Sequence, residues 1–216
     1  MRLGIFGGSF DPVHYGHLIL AELCRERCRL DQVWFMPAAT PPHKRQKRMA
    51  EPRERVEMLE LAIGGHSAFR VSSHEIDRGG LSYTVDTLRQ IHVERPDDEL
   101  FFLLGGDSLH DLASWREPSE ICGLATLVAV RRAGSPEPDF GSLSPFVARD
   151  RLRQMEEHVV DMPRIDLASR DLRRRVATER SIRYQTPRAV ERYIETAGLY
   201  RTGEPLSDEP PPSPAH

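Results

Sequence analysis

The sequence predicts an α/β fold: a doubly wound parallel sheet of five to six strands, with a small helical C-terminal subdomain. Three observations carry this. Short apolar runs, among them Leu3-Gly4-Ile5-Phe6, Val33-Trp34-Phe35-Met36 and Thr126-Leu127-Val128-Ala129-Val130, alternate with stretches of helical period. The run Leu100-Phe101-Phe102-Leu103-Leu104 is apolar at every position, as a central parallel strand covered on both faces requires. The first run passes through Gly7-Gly8 into an amphipathic segment, Leu18 to Arg27. A strand, a glycine turn and a helix start make a phosphate site by geometry, because the helix N-terminus offers free N–H groups and a positive dipole end.

In chain order, Gln32 to Met36 forms the second strand and stops at Pro37. The proline-rich loop that follows ends in the basic run His43-Lys44-Arg45-Gln46-Lys47-Arg48. Pro52 opens a helix to about Ile63, with Val56, Leu59 and Ile63 on its apolar face. Phe69 to Ser72 is a strand, and the polar, glycine-terminated Glu75 to Gly80 a loop. Ser82 is an N-cap candidate for a helix to about His92. The central strand ends at Gly105-Gly106-Asp107, where glycine permits close ligand approach and Asp107 can accept ribose hydroxyls. Trp115 sits among polar neighbours, placed equally well for the core or as a stacking platform. After Arg131-Arg132, residues 133–145 are rich in Gly, Pro and Ser. A short helix near Asp150 to Glu156 and a strand at His158 to Asp161 follow. Ser169 is a cap candidate for the next helix, with Asp171 in its first turn. Thr186 and Pro187 open the last helix, Val190, Tyr193 and Ile194 line its buried stripe, and Gly198 ends it.

The chain has 216 residues, 39% hydrophobic and 29% charged, with net charge −3. That suits one domain over residues 1–200 and a disordered, Pro-rich tail at 201–216. No global field draws in nucleic acid or an anionic membrane, so neither is expected as a partner. Cys24, Cys28 and Cys122 show no metal-ligand spacing, and a sparse, odd count suits a reducing cytoplasm. A P-loop needs Gly-Lys-Ser/Thr, which the glycine turn lacks. The dinucleotide fingerprint needs an acid at the end of the second strand, where Pro37 stands.

Gly-Ser-Phe-Asp-Pro-Val-His-Tyr-Gly-His, residues 8 to 17, resembles the signature of the nucleotidylyltransferase superfamily, His/Thr-x-Gly-His after the first strand. Within it the chain is most similar to the bacterial nicotinate mononucleotide adenylyltransferases, from Arg2 to about Tyr200. The resemblance implies a Rossmann-like fold and transfer of AMP from ATP to nicotinate mononucleotide, with Mg²⁺ on the triphosphate. It implies catalysis by His14, His17, Lys44 and Arg173. ATP would meet Gly7, Gly8, Ser9, Phe10, His14, His17, Gly105, Asp107, Ser169 and Arg173. Nicotinate mononucleotide would meet Ser9, Lys44, Tyr83, Thr84 and Trp115. The superfamily pattern Ile-Ser-Ser/Ala-Thr-x-Ile-Arg is altered: Ala168 replaces the first Ser and Arg170 the Thr, while Ser169, Leu172 and Arg173 match. A sister transferase acting on phosphopantetheine or another phosphorylated acceptor, and a non-catalytic nucleotide-binding module, are the alternatives. Assembly as a homo-oligomer stays open.

Overall fold

The computed structural model describes residues 1–40, 49–132 and 137–201, the side chains of Asp107 and Arg132 excepted. The expected phosphate clamp at Lys44, the start of the Gly/Pro/Ser excursion and the C-terminal tail lie outside the described residues.

The strands are β1 (Arg2–Gly8), β2 (Gln32–Pro37), β3 (Phe69–Val71), β4 (Glu99–Gly105), β5 (Thr126–Arg132) and β6 (Val159–Met162). All pair in parallel, in the order β3-β2-β1-β4-β5-β6. The chain winds outward from β1 through β2 to β3, returns to the other side of β1, and winds outward again. The reversal falls between β1 and β4, whose carboxyl ends define the crevice where open α/β sheets bind ligands.

The helices are α1 (Tyr15–Arg27), α2 (Pro52–Ile63), α3 (His74–Arg78), α4 (Thr84–Glu94), α5 (Gly106–Asp111), α6 (Pro118–Leu124), α7 (Arg149–Glu156), α8 (Ser169–Ala177) and α9 (Arg188–Ala197). The strand side chains divide between two cores by the pleat. Phe101 and Leu103 of β4 and Val128 and Val130 of β5 face the layer that includes Leu20, Cys24, Met58, Leu59, Leu172 and Ile194. Leu100, Phe102 and Leu104, with Leu127 and Ala129, face Val85, Leu88, Ile91, Ile121 and Met155. The all-apolar run Leu100 to Leu104 of β4 thus serves both cores at once, as its composition predicts. Cys24, Cys28 and Cys122 are buried free thiols. Among the described residues no helix is long and apolar enough to cross a membrane.

Several local expectations change. Residues 74–78 form helix α3 where a loop is expected; Ser73 precedes it, with its hydroxyl on Asp77 at 2.6 Å, and Gly79 ends it at φ 68°. Helix α6 is a further addition, opened by Pro118 at its first turn. Three expected caps do other work. Ser82 accepts the Ala39 N–H at 2.9 Å, and Tyr83 stands at the N-cap of α4. Ala168 is the N-cap of α8, and Pro187 that of α9.

Candidate active site

At the end of β1 the backbone leaves the sheet in a tight turn. Phe10 takes the left-handed region, φ 46°, and its ring is buried against Phe6, Phe35 and the edge of His17. Such a conformation costs a non-glycine residue energy, here offset by burial of a whole aromatic ring. Gly8 makes room for that ring: a Cβ at position 8 would stand 3.0 Å from it. Helix α1 then starts with His14 at the N-cap and His17 at its third position. The two imidazoles stack, with centroids 3.7 Å apart and planes at 21°. His17 Nδ1 accepts the His14 backbone N–H at 3.3 Å, so the proton of a neutral His17 sits on Nε2. Gly16 completes the motif for a steric reason: a Cβ there would meet the His14 ring at 3.0 Å.

The turn is braced from the far end of the chain. Three consecutive carbonyls, those of Asp11, Pro12 and Val13, accept from Arg173 Nη1 at 2.6 Å, Ser169 Oγ at 2.9 Å and Thr186 Oγ1 at 2.7 Å. The Tyr15 N–H donates to the Gln185 carbonyl at 3.1 Å. Buried Asp11 accepts on Oδ1 from the Tyr200 hydroxyl at 2.6 Å and the Ala50 N–H at 3.2 Å. Its Oδ2 lies 3.5 Å from Arg173. This accounts for Ser169 and Thr186: a hydroxyl beside an otherwise unsatisfied buried carbonyl relieves a larger cost than one at an exposed helix end.

A second brace had no sequence signal beyond a charged position in an amphipathic helix. Arg55 of α2 is wholly buried. Its guanidinium donates to the carbonyls of Ser9 at 3.1 Å, Ala38 at 2.7 Å, Ala39 at 3.3 Å and Ala50 at 3.1 Å. Burial lowers its pKa from the ordinary arginine value, while the Asp11 charge opposes that shift. The planar fork of five donors lets one side chain tie the glycine turn to the exit of β2.

Two hollows flank Ser9. The first, about 490 Å³, is walled by Asp11, His14, His17, Ser169, Arg170 and Arg173, with Leu20, Met162 and Ile165 as its apolar side. The second, about 310 Å³, is walled by Gly7, Gly8, Ser9, Thr84, Phe102 and Trp115, and Glu75 also lines it. An adjoining space of about 470 Å³ is bordered by Tyr83, Thr84, Ser108, Trp115 and Arg116. Trp115 is half-buried, edge-on to Phe102 at 6.1 Å, so it serves the core and the cavity together. Gly105 caps α5 outside these three cavities, with open space where a Cβ would stand. Phe10 offers its ring to the core, leaving only its backbone near the turn.

Residues 5–175 match the model of the cytidylyltransferase-like family. A protein of Thermomicrobium roseum described as a probable nicotinate-nucleotide adenylyltransferase is 47% identical over 207 residues, covering 95% of this chain and 94% of that one. A probable nicotinate-nucleotide adenylyltransferase of Thermus thermophilus is 45% identical over 203 residues, covering 93% and 100%. The chain belongs to the nicotinate-nucleotide adenylyltransferase branch of the cytidylyltransferase-like family. Its fold is also that of Plasmodium falciparum nicotinic acid mononucleotide adenylyltransferase complexed with NaAD, at TM-score 0.69 and 18% identity over 92% of this chain and 97% of that one. As a cytidylyltransferase-like protein it keeps His14, Gly16 and His17 beside one cavity. The altered positions Ala168 and Arg170 line the same cavity, and Arg170 is exposed.

Proposed function

We propose that this protein transfers AMP from ATP to nicotinate mononucleotide, giving deamido-NAD and pyrophosphate, a step of NAD biosynthesis. The observation that carries this reading is the position of Ser9. It borders both the cavity beside His14 and His17 and the cavity beside Thr84 and Trp115. Two ligands seated in these hollows would meet at the glycine turn, as a transfer between two phosphates requires.

In this reading the acceptor's 5′-phosphate attacks the α-phosphorus of ATP in line, and pyrophosphate leaves. No protein nucleophile is needed; alignment and charge stabilisation supply the rate. The Nε2–H of His17 donates to an α-phosphoryl oxygen, and His14 and Arg173 meet the charge that builds on the leaving group. Lys44 would approach from the 41–48 segment. On the acceptor side, the first N–H groups of α4, at Thr84, would hold the pyridine carboxylate. An amide there would turn its NH₂ toward donors and forfeit a charge-assisted hydrogen bond, roughly ten- to a hundredfold in discrimination.

Mg²⁺ fits as a companion of the nucleotide. The cavity residues are two imidazoles, two guanidiniums, two hydroxyls and one carboxylate already bonded to Tyr200 and Ala50. Such a set is poor in the oxygen ligands Mg²⁺ takes, so triphosphate oxygens and water would supply most of them. Bound there, the ion would screen charge on the leaving pyrophosphate.

The test is pyrophosphate release from ATP and Mg²⁺ with nicotinate mononucleotide, nicotinamide mononucleotide and phosphopantetheine in parallel. Turnover is expected with the first and at least tenfold less with the second. Turnover only with phosphopantetheine would keep the reaction class and overturn the acceptor.

A further inference from the structure

The second cavity contains a carboxylate that the proposed chemistry has not used. Glu75, on the short helix α3, is buried at 7% exposure and borders the cavity together with Thr84, Phe102 and Trp115. Its Oε1 accepts one hydrogen bond, from the Thr87 hydroxyl at 2.7 Å. Arg78 donates to the same hydroxyl, its Nη2 at 2.9 Å. Among the described residues Glu75 has no ion-pair partner. Elsewhere in the cavity the walls are apolar or neutral: Ile5, Met36, Ala38, Leu88, Phe102 and Trp115.

A buried carboxylate with one neutral donor is costly for the protein alone. The geometry resolves if the missing partner arrives with the ligand, and we infer that Glu75 supplies the counter-charge for a cationic aromatic ring, the pyridinium of the acceptor. The inference rests on the acceptor reading above and deepens it. The ring is a zwitterion in this site: its carboxylate faces the N-terminal end of α4 and its ring charge faces Glu75. Trp115 adds a π-face, which also favours a cation. Two chemically opposite anchors on one small ring set its orientation, which a single anchor does not. They also select against flat neutral acids of the same size.

The experiment compares nicotinate mononucleotide with the benzoate C-riboside 5′-phosphate, which has the same outline and carboxylate but no ring charge. The wild-type KM is expected to be about tenfold or more lower for the charged acceptor, in line with one charge-assisted contact. Glu75→Gln keeps the oxygen that accepts from Thr87 and removes the charge. It is expected to bring the two KM values within about threefold, leaving the KM for ATP unchanged. Glu75→Asp is expected to retain most of the preference. The melting temperature of free Glu75→Gln is expected to hold or rise, since an unpaired buried charge is gone. Equal KM values in the wild type would overturn the inference without any variant. So would a Glu75→Gln protein that melts lower yet keeps the wild-type preference, because that assigns Glu75 a structural role. Absence of wild-type turnover with nicotinate mononucleotide would instead bring down the acceptor reading on which this one stands.

Discussion

A methyl group at position 16 would stand 3.0 Å from the His14 imidazole. That contact explains the small residue between the two histidines without reference to any ligand: α1 can carry stacked rings at its start only if nothing occupies the space beneath His14. Gly16→Ala separates stability from chemistry. Gly16 stands in the first turn of α1, where alanine gains less than the roughly 1 kcal/mol of a helix interior, so thermal stability is expected to change little. The displaced ring is expected to lower kcat by about tenfold or more, a displacement of ångström scale being enough. A variant with wild-type turnover would mean that the His14 position is not critical. At this scale the sequence was readable, since Gly8, His14 and His17 sit where the motif puts them. The roles of Gly16 and Glu75 were not, because each depends on what another segment places beside it.

Among the elements, α2 carries the largest surprise. Its bounds, Pro52 to Ile63, agree with the periodicity, yet its most consequential residue is Arg55, a charge at a core position. Hydrophobic patterning counts arginine as a solvent residue. Here four main-chain carbonyls that diverge from two neighbouring loops need donors, and the guanidinium fork meets that need. Arg55→Met keeps the volume and leaves those carbonyls bare. A loss of roughly 3–5 kcal/mol in urea unfolding is expected; a loss below about 1 kcal/mol would show that water reaches them. The same logic explains the caps. Ser82, Ser169 and Thr186 all stand beside helix starts, and local rules assign their hydroxyls there. Each instead serves the site or its borders, at Ala39, Pro12 and Val13. Helix α3 was hidden for a related reason: four polar residues around Ile76 show no apolar stripe, and polar contacts to Thr87, Gln90 and Glu94 of α4 hold them.

In the whole molecule, a doubly wound sheet of five to six strands follows from the alternation of apolar runs with helical periods, and the observed reversal at β1 sets the glycine turn in the crevice. What the alternation could not show is that Tyr200, 189 positions away, meets the motif at Asp11. Tyr200 donates to that carboxylate, and its pKa is well above the ordinary tyrosine value, first because its hydroxyl is desolvated and then because of the Asp11 charge. The folded state therefore holds the proton more tightly than the unfolded chain, which releases it near 10. Below that pH the contribution is complete; above it, unfolding releases protons and stability falls. Tyr193, pushed up to about 12 chiefly by burial, acts in the same direction. Urea midpoints are expected to fall as the pH rises from about 9.5 to 11, and less steeply in Tyr200→Phe. An identical slope would remove Tyr200 from the alkaline limb. The braces on residues 11 to 13 span 157 to 173 positions of sequence. Their consequence lies in synthesis. The motif leaves the ribosome before its braces and must wait, unbraced, while the sheet is made behind it. The turn can take its braced form only after α8 and the segment before α9 have emerged, so a growing chain carries the motif unsupported until those later segments fold back onto it.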